Sequence, residues 1–265
     1  MKILKISFAL LICAIVSSCS NDDDNTEDLS GQTGELIIKF DNGVGDQDFI
    51  FDTSYSKSNN ETYKLSTLKY LVSNITLTDT EGNEYMYPSE KNVFIISEAN
   101  ANNAGEIYVT LEDVDAADYT SISFGVGIDQ GRYALGADGQ GDFLTTAEAE
   151  GMMWSWATGY RFTRIDGTYS SSTVTDEALN IHMGSVGTSI DNYREVTLSL
   201  PNTVLIREDK SPQIHVVADI AKLFDGTTSV SFDDGYAQVH VDETTTGVIA
   251  NNAADMFSVH HVHNE

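Results

Sequence analysis

The chain holds six histidines, two tryptophans and two cysteines, and their positions decide what chemistry it can do. His182, His215, His240, His260, His261 and His263 all lie in the C-terminal third, and no histidine precedes His182. Imidazole is a borderline-soft ligand suited to copper or zinc, so these residues are the natural candidates for a metal site. His215 and His240 stand inside β-type patterns, flanked by valine or isoleucine. His182 follows Ile181 and precedes Met183-Gly184, beside a turn. In the terminal HHVH (260–263), alternation sets His261 and His263 on one face of an extended segment and His260 on the other. Trp154 and Trp156 fall together in MMWSWATGYRF (152–162), where the same alternation sets both indoles on one side of a strand. Hydrolytic and phosphate chemistry have no support. The sequence lacks GxSxG, HExxH, a Walker loop and a dinucleotide fingerprint. Asp138, Gln140 and Asp142 make a poor calcium loop, and GVGID (125–129) reads as a strand end and turn.

These side chains need a scaffold, and the surrounding sequence predicts one made mostly of β-strands. Short runs rich in β-branched and aromatic residues recur between Gly, Asn and Asp. They include ELIIKF (35–40), KYLVSNITLTD (69–79), VFIIS (93–97), IYVTLEDV (107–114), YTSISFGVGI (119–128), GYRFTRIDGTY (159–169), REVTLSLP (194–201), QIHVVAD (213–219) and YAQVHVD (236–242). Helices are few. Thr145 and Glu148 have capping-box spacing, and DIAKLFDG (219–226) reads as a short helix closed by Gly226. The expected fold is all-β, a single antiparallel β-sandwich domain with few short helices over 34–265.

The 265 residues carry 41 acidic against 14 basic side chains, a formal charge of −27. Such a chain repels phosphate backbones, which excludes nucleic acid as a partner. At the N-terminus, Lys2 and Lys5 precede an apolar run from Ile6 to Val16, too short to span a bilayer but suited to a signal peptide. The following Val-Ser-Ser-Cys resembles a bacterial lipobox, making residues 1–18 a lipoprotein signal peptide and Cys19 the lipidation site. Loss of Cys13 with the signal then leaves no free thiolate as a metal ligand. Residues 19–33 read as an acidic flexible tether. An acidic run after the lipidated cysteine resembles the surface-export signal of Bacteroidetes lipoproteins. The expected location is the bacterial outer membrane, facing the periplasm or the cell surface.

Several segments in order resemble the MbnP-like family of copper-associated proteins: FDNGVGD (40–46), LKYLVSNITL (68–77), FGVGID (124–129), MWSWATGYRF (153–162), IHMGS (181–185), IHVVADIAKLF (214–224) and MFSVHH (256–261). The MWxWxxGYxF core is the most specific of them. The resemblance implies a β-sandwich that binds one copper ion through histidines, with His182, His215, His240, His261 and His263 as the candidates here. It also implies that Trp154 or Trp156 can be oxidised to kynurenine by a dihaem, MbnH-like partner enzyme. The opening strand of copper-binding members often carries a histidine, where this chain has Asp41. Two readings follow. One is a non-enzymatic copper-binding lipoprotein of uptake, storage or delivery, anchored to the membrane through Cys19. The other is a metal-free surface module that binds a glycan or a protein.

Overall fold

The computed structural model describes residues 28–265, so the signal segment, Cys19 and the first part of the tether lie outside the described residues. Two sheets face each other. The smaller is five-stranded, in the order Phe257–His263, Gln213–Asp219, Thr33–Val44, Glu106–Asp115, with the short Gln47–Asp48 pairing the end of the opening strand. The larger is nine-stranded and runs Arg194–Leu205, Asp118–Val126, Thr62–Asp79, Thr163–Ser170, Glu177–Met183, Gln238–Val239. Its long central strand, Thr62–Asp79, also carries three short partners.

Alternation along the strands builds the core. Leu36, Ile38 and Phe40 of the opening strand are fully buried, as are Ile214, Val216 and Ala218 of its neighbour. Aromatic edges join the two layers. Phe40 meets Tyr70 and Phe124, both at 6.3 Å between ring centroids, and Phe257 meets Phe124 at 5.0 Å. Such edge-on contacts add roughly 0.5–1.5 kcal/mol each beyond the area they bury.

The all-β expectation holds, with three local differences. First, two strand pairs are parallel: Thr33–Val44 with Gln213–Asp219, and Glu177–Met183 with Gln238–Val239. A parallel pair needs a crossover rather than a hairpin, and the first of these joins residues from opposite ends of the sequence. Second, GYRFTRIDGTY is not one strand, because Gly159–Tyr160 belongs to a hairpin with Met153–Ser155 and the sheet strand begins at Thr163. Third, of the YAQVHVD segment only Gln238–Val239 is strand.

The helix of 142–149 starts at Asp142, three residues before the expected capping threonine. The helix within DIAKLFDG spans Lys222–Asp225. A helix that the pattern does not announce, Glu243–Ala254, is capped by Asp242, whose side chain accepts from the Thr245 amide at 2.7 Å. Its threonine-rich first turn has weak helix propensity, and burial of Ile249, Ala250 and Ala253 holds it in place. Among the described residues no helix is long and apolar enough to cross a membrane.

Candidate metal centre

The histidines fall into two groups on different sheets. On the five-stranded sheet the core takes Ile214, Val216 and Ala218, so His215 must face outward. Register then sets a row across four strands: Tyr108, Lys39, His215 and His261. His263 occupies the next outward position on the C-terminal strand, opposite Gln213. That much agrees with simple alternation.

His260 does not. Pairing runs His215 with His261 and then Val216 with Val259, so the C-terminal strand carries a β-bulge with one extra residue, His260. The bulge brings the His260 ring to the same side as its neighbours. Its centroid lies 5.2 Å from His215 and 4.8 Å from His261, and His215 and His261 are 4.8 Å apart. The two Nδ1 atoms of His260 and His261 are 2.6 Å apart, and the His263 ring stands 4.5 Å from His261. The expectation that His260 points away from its neighbours is therefore corrected. Period-two alternation fails wherever an extra residue is inserted, and nothing local in HHVH marks the insertion.

One ligand nitrogen each from His215, His260 and His261 can be chosen so that all lie within 4.8 Å of one another. Among the described residues this is the trio of histidine, cysteine or acidic side chains that could hold a metal ion. His215 is buried, His261 half-buried and His260 exposed. Nε2 of His215 lies 3.0 Å from Asp41 Oδ2, while its Nδ1 is buried and has no hydrogen-bond partner among the described residues. Burial, then the Lys39 ammonium, pushes the His215 pKa below the ordinary imidazole value against the opposing pull of Asp41. Burial, then His263 and His260, does the same to His261. Both shifts favour the neutral imidazole, the form that binds metals. Lys39 itself is engaged by Glu106 at 2.8 Å, and Tyr108 donates to the other Glu106 oxygen at 2.6 Å. The donor set therefore fits copper or zinc: neutral imidazoles, one with an orphaned buried nitrogen, on a sheet that fixes their backbone.

The second group is at the edge of the nine-stranded sheet, with His182 on the Glu177–Met183 strand and His240 directly after Gln238–Val239. His182 lies 5.2 Å from His240 between ring centroids. Its Nε2 is 2.7 Å from Asp166 Oδ1, and Arg164 Nε donates to the other Asp166 oxygen at 3.0 Å. The His182 hydrogen bond is the main cause that lowers the Asp166 pKa. Burial, then His182, then Arg161, depresses His240. The five histidines expected as one ligand set, His182, His215, His240, His261 and His263, are thus split. His215, His261 and His263 come together and recruit His260, whereas His182 and His240 form a separate pair.

The tryptophans also part. Trp154 is in the Met153–Ser155 strand, but Trp156 lies in the hairpin turn beyond it, so a shared strand face does not exist. Trp156 stacks on Tyr133 at 5.0 Å and meets Tyr160 edge-on at 6.4 Å. Trp154 lies under the Arg161 guanidinium, 5.3 Å from ring to Cζ. Its ring edge also presses on Gly184, where an added Cβ would come within 3.1 Å of the indole and 2.0 Å of the Tyr160 carbonyl. Gly184 follows His182 and Met183, so glycine there lets the tryptophan hairpin sit directly on the end of the His182 strand.

A family model described as MbnP matches residues 33–248. That span holds both tryptophans and His182, His215 and His240, and stops short of the terminal histidines. A solved structure, MbnP from Methylosinus trichosporium, superposes with a TM-score of 0.50 at 14% identity, covering 88% of this chain and 99% of that one. At that identity the likeness is one of fold. No curated protein sequence matches the chain.

Proposed function

The chain belongs to the MbnP family, and on that premise we propose that it is a copper-binding lipoprotein of copper uptake, storage or delivery, not an enzyme. His215, His260 and His261 would hold the ion, with His263 beside them. The observation that carries this reading is the convergence of three imidazoles, one of which keeps a buried Nδ1 without a partner among the described residues. Among the buried side-chain atoms without a partner in the described residues, this one belongs to an imidazole with two others beside it, and a metal ion would satisfy it. Neutral imidazoles suit copper, and the carboxylates that dominate the composition do not compete well for a soft monovalent ion. The decisive experiment titrates the protein and the H215A/H261A variant with copper(I) against a chromophoric chelator. Tight binding in the parent and its loss in the variant are expected. No bound copper in the parent at micromolar free metal refutes the proposal.

Two further parts of the reading stand apart from that titration. Anchoring in the bacterial outer membrane through Cys19 rests on the lipobox-like sequence. It predicts incorporation of radiolabelled fatty acid, abolished by C19A. Oxidation of a tryptophan to kynurenine by a dihaem, MbnH-like partner rests on family membership. We place it at Trp154, which packs beside the His182 segment, rather than at Trp156, which is stacked on Tyr133. Intact mass of protein from the native cell decides it. The mass should reflect a net gain of one oxygen and loss of one carbon, since dioxygen addition is followed by release of the formyl carbon as formate, and purely unmodified tryptophan rejects it.

A further inference from the structure

We infer that Asp41 is a positioning residue for the His215 ligand: its carboxylate fixes the imidazole proton on Nε2 and so presents the Nδ1 lone pair to the metal. The inference rests on the proposed site at His215, His260 and His261, and it says which atom of that site binds.

Three observations meet here. Asp41 Oδ2 stands 3.0 Å from His215 Nε2. An ionised carboxylate can only accept hydrogen bonds, so in the neutral ring the proton resides on Nε2. The remaining nitrogen, Nδ1, is buried and has no partner among the described residues. Finally, the charge that would compete for Asp41 is engaged elsewhere. Lys39 is directly opposite His215, but its ammonium is held by Glu106, which pairs opposite Asp41 on the neighbouring strand.

The backbone makes this arrangement rigid. Asp41 lies on the Thr33–Val44 strand, in the interior of the five-stranded sheet, in register with Val217, so it reaches His215 diagonally from the adjacent strand. Asp41 and His215 alternate outward from core residues on either side, which leaves neither side chain another face to occupy. A carboxylate bonded to the non-ligating nitrogen orients the ring and raises its basicity, and loss of such an outer partner typically weakens metal binding about 10–100-fold. Asp41 as a direct ligand is disfavoured for copper(I), because a hard oxygen anion is a poor match for a soft monovalent ion.

The test combines two readings on the full chain. Imidazole ¹H–¹⁵N spectra of labelled protein report the His215 tautomer without metal and the metallated nitrogen after copper(I) is added; comparison with H215Q assigns the signals. Competition titration gives copper affinity for the parent, D41A, D41N and D41E, with thermal unfolding as the control for fold. The expected result is Nε2–H in the metal-free parent, copper at Nδ1, and a 10–100-fold affinity loss in D41A at unchanged melting temperature, partly recovered in D41E. An Nδ1–H tautomer, metallation at Nε2 or parent-like affinity in folded D41A overturns the inference. If D41A does not fold, D41N supplies the same comparison. If the parent binds no copper, the proposed function fails, and the tautomer alone then decides the role of Asp41.

Discussion

Two buried ionisable clusters in this molecule are built on opposite plans. In the first, Lys57 and Glu61 face each other at 2.6 Å with side chains almost wholly excluded from water. Glu61 also accepts from the Ser231 hydroxyl at 2.9 Å and from the Phe232 and Asp233 amides at 3.0 and 3.2 Å. Lys57 donates to the Val230 carbonyl and lies 4.2 Å over the Phe232 ring. The carboxylate is thus met on both oxygens, and the cluster ties the turn after Tyr55–Ser56 to the loop of 230–236. In the second, His215 is also buried, yet one of its two nitrogens has no partner among the described residues, and its ring lies beside the half-buried His261 and the exposed His260. Saturation marks a structural polar cluster. An unmet imidazole nitrogen beside further histidines is what the proposed copper site would use.

The contrast can be broken in order of expected effect. Removing one partner of a buried ion pair strands the other, so K57A should lower stability by about 3–5 kcal/mol in urea unfolding, with copper affinity of the folded protein unchanged. A loss below about 1 kcal/mol would place the pair in the weak class of surface bridges. The same cluster should govern acid unfolding. Burial alone would raise the Glu61 pKa, but Lys57 and the backbone donors outweigh it and hold the value down to about 2, against an ordinary value of 4.5. A depressed carboxylate contributes fully above its unfolded pKa, so its share of stability should be lost as pH falls from 4.5 towards 2. Urea midpoints measured across that window should drop more steeply for the parent than for E61Q.

His215 should behave in the opposite way. H215A should abolish tight copper binding, an effect beyond the roughly 100-fold that an outer partner supplies, while costing less stability than K57A, since the lost hydrogen bond to Asp41 is partly offset by removal of an orphaned buried nitrogen. A large fall in melting temperature with copper binding retained would reverse the assignment. H182A sits between the two. Loss of its hydrogen bond to the ionised Asp166 should cost about 1.5–3 kcal/mol, and copper titration should match the parent. If H182A loses copper instead, the metal belongs with the second histidine group. Smallest of all, H263A should shift copper affinity less than H260A, because His263 stands outside the trio. Equal effects from both variants would extend the site along the strand.

Particular residues show how far the sequence carries. Alternation in IHVV correctly turns His215 out of the core, because Ile214 and Val216 claim the inward positions. The same rule misplaces His260 and wrongly joins Trp154 to Trp156. In each case the backbone leaves regular strand geometry, once at a bulge and once at a turn, and both departures are fixed by pairing with distant strands. Asp41 stands out in the sequence only as a carboxylate where a histidine is the family habit. Its place beside a histidine 174 positions away becomes visible when the parallel pairing is known.

Composition, strand periodicity and the clustering of histidines in the last third of the chain determine an acidic, mostly β protein in which imidazoles are the natural candidates for a soft-metal site. Family motifs are likewise written in local runs that survive without a structure. Which histidines meet is another matter. Local propensity acts over a few residues, whereas His215, His260 and His261 converge through a sheet that joins the opening strand to the last two and through one inserted residue in their ladder. The tertiary structure decides that partition, because only long-range hydrogen-bond register sets which side chains share a face.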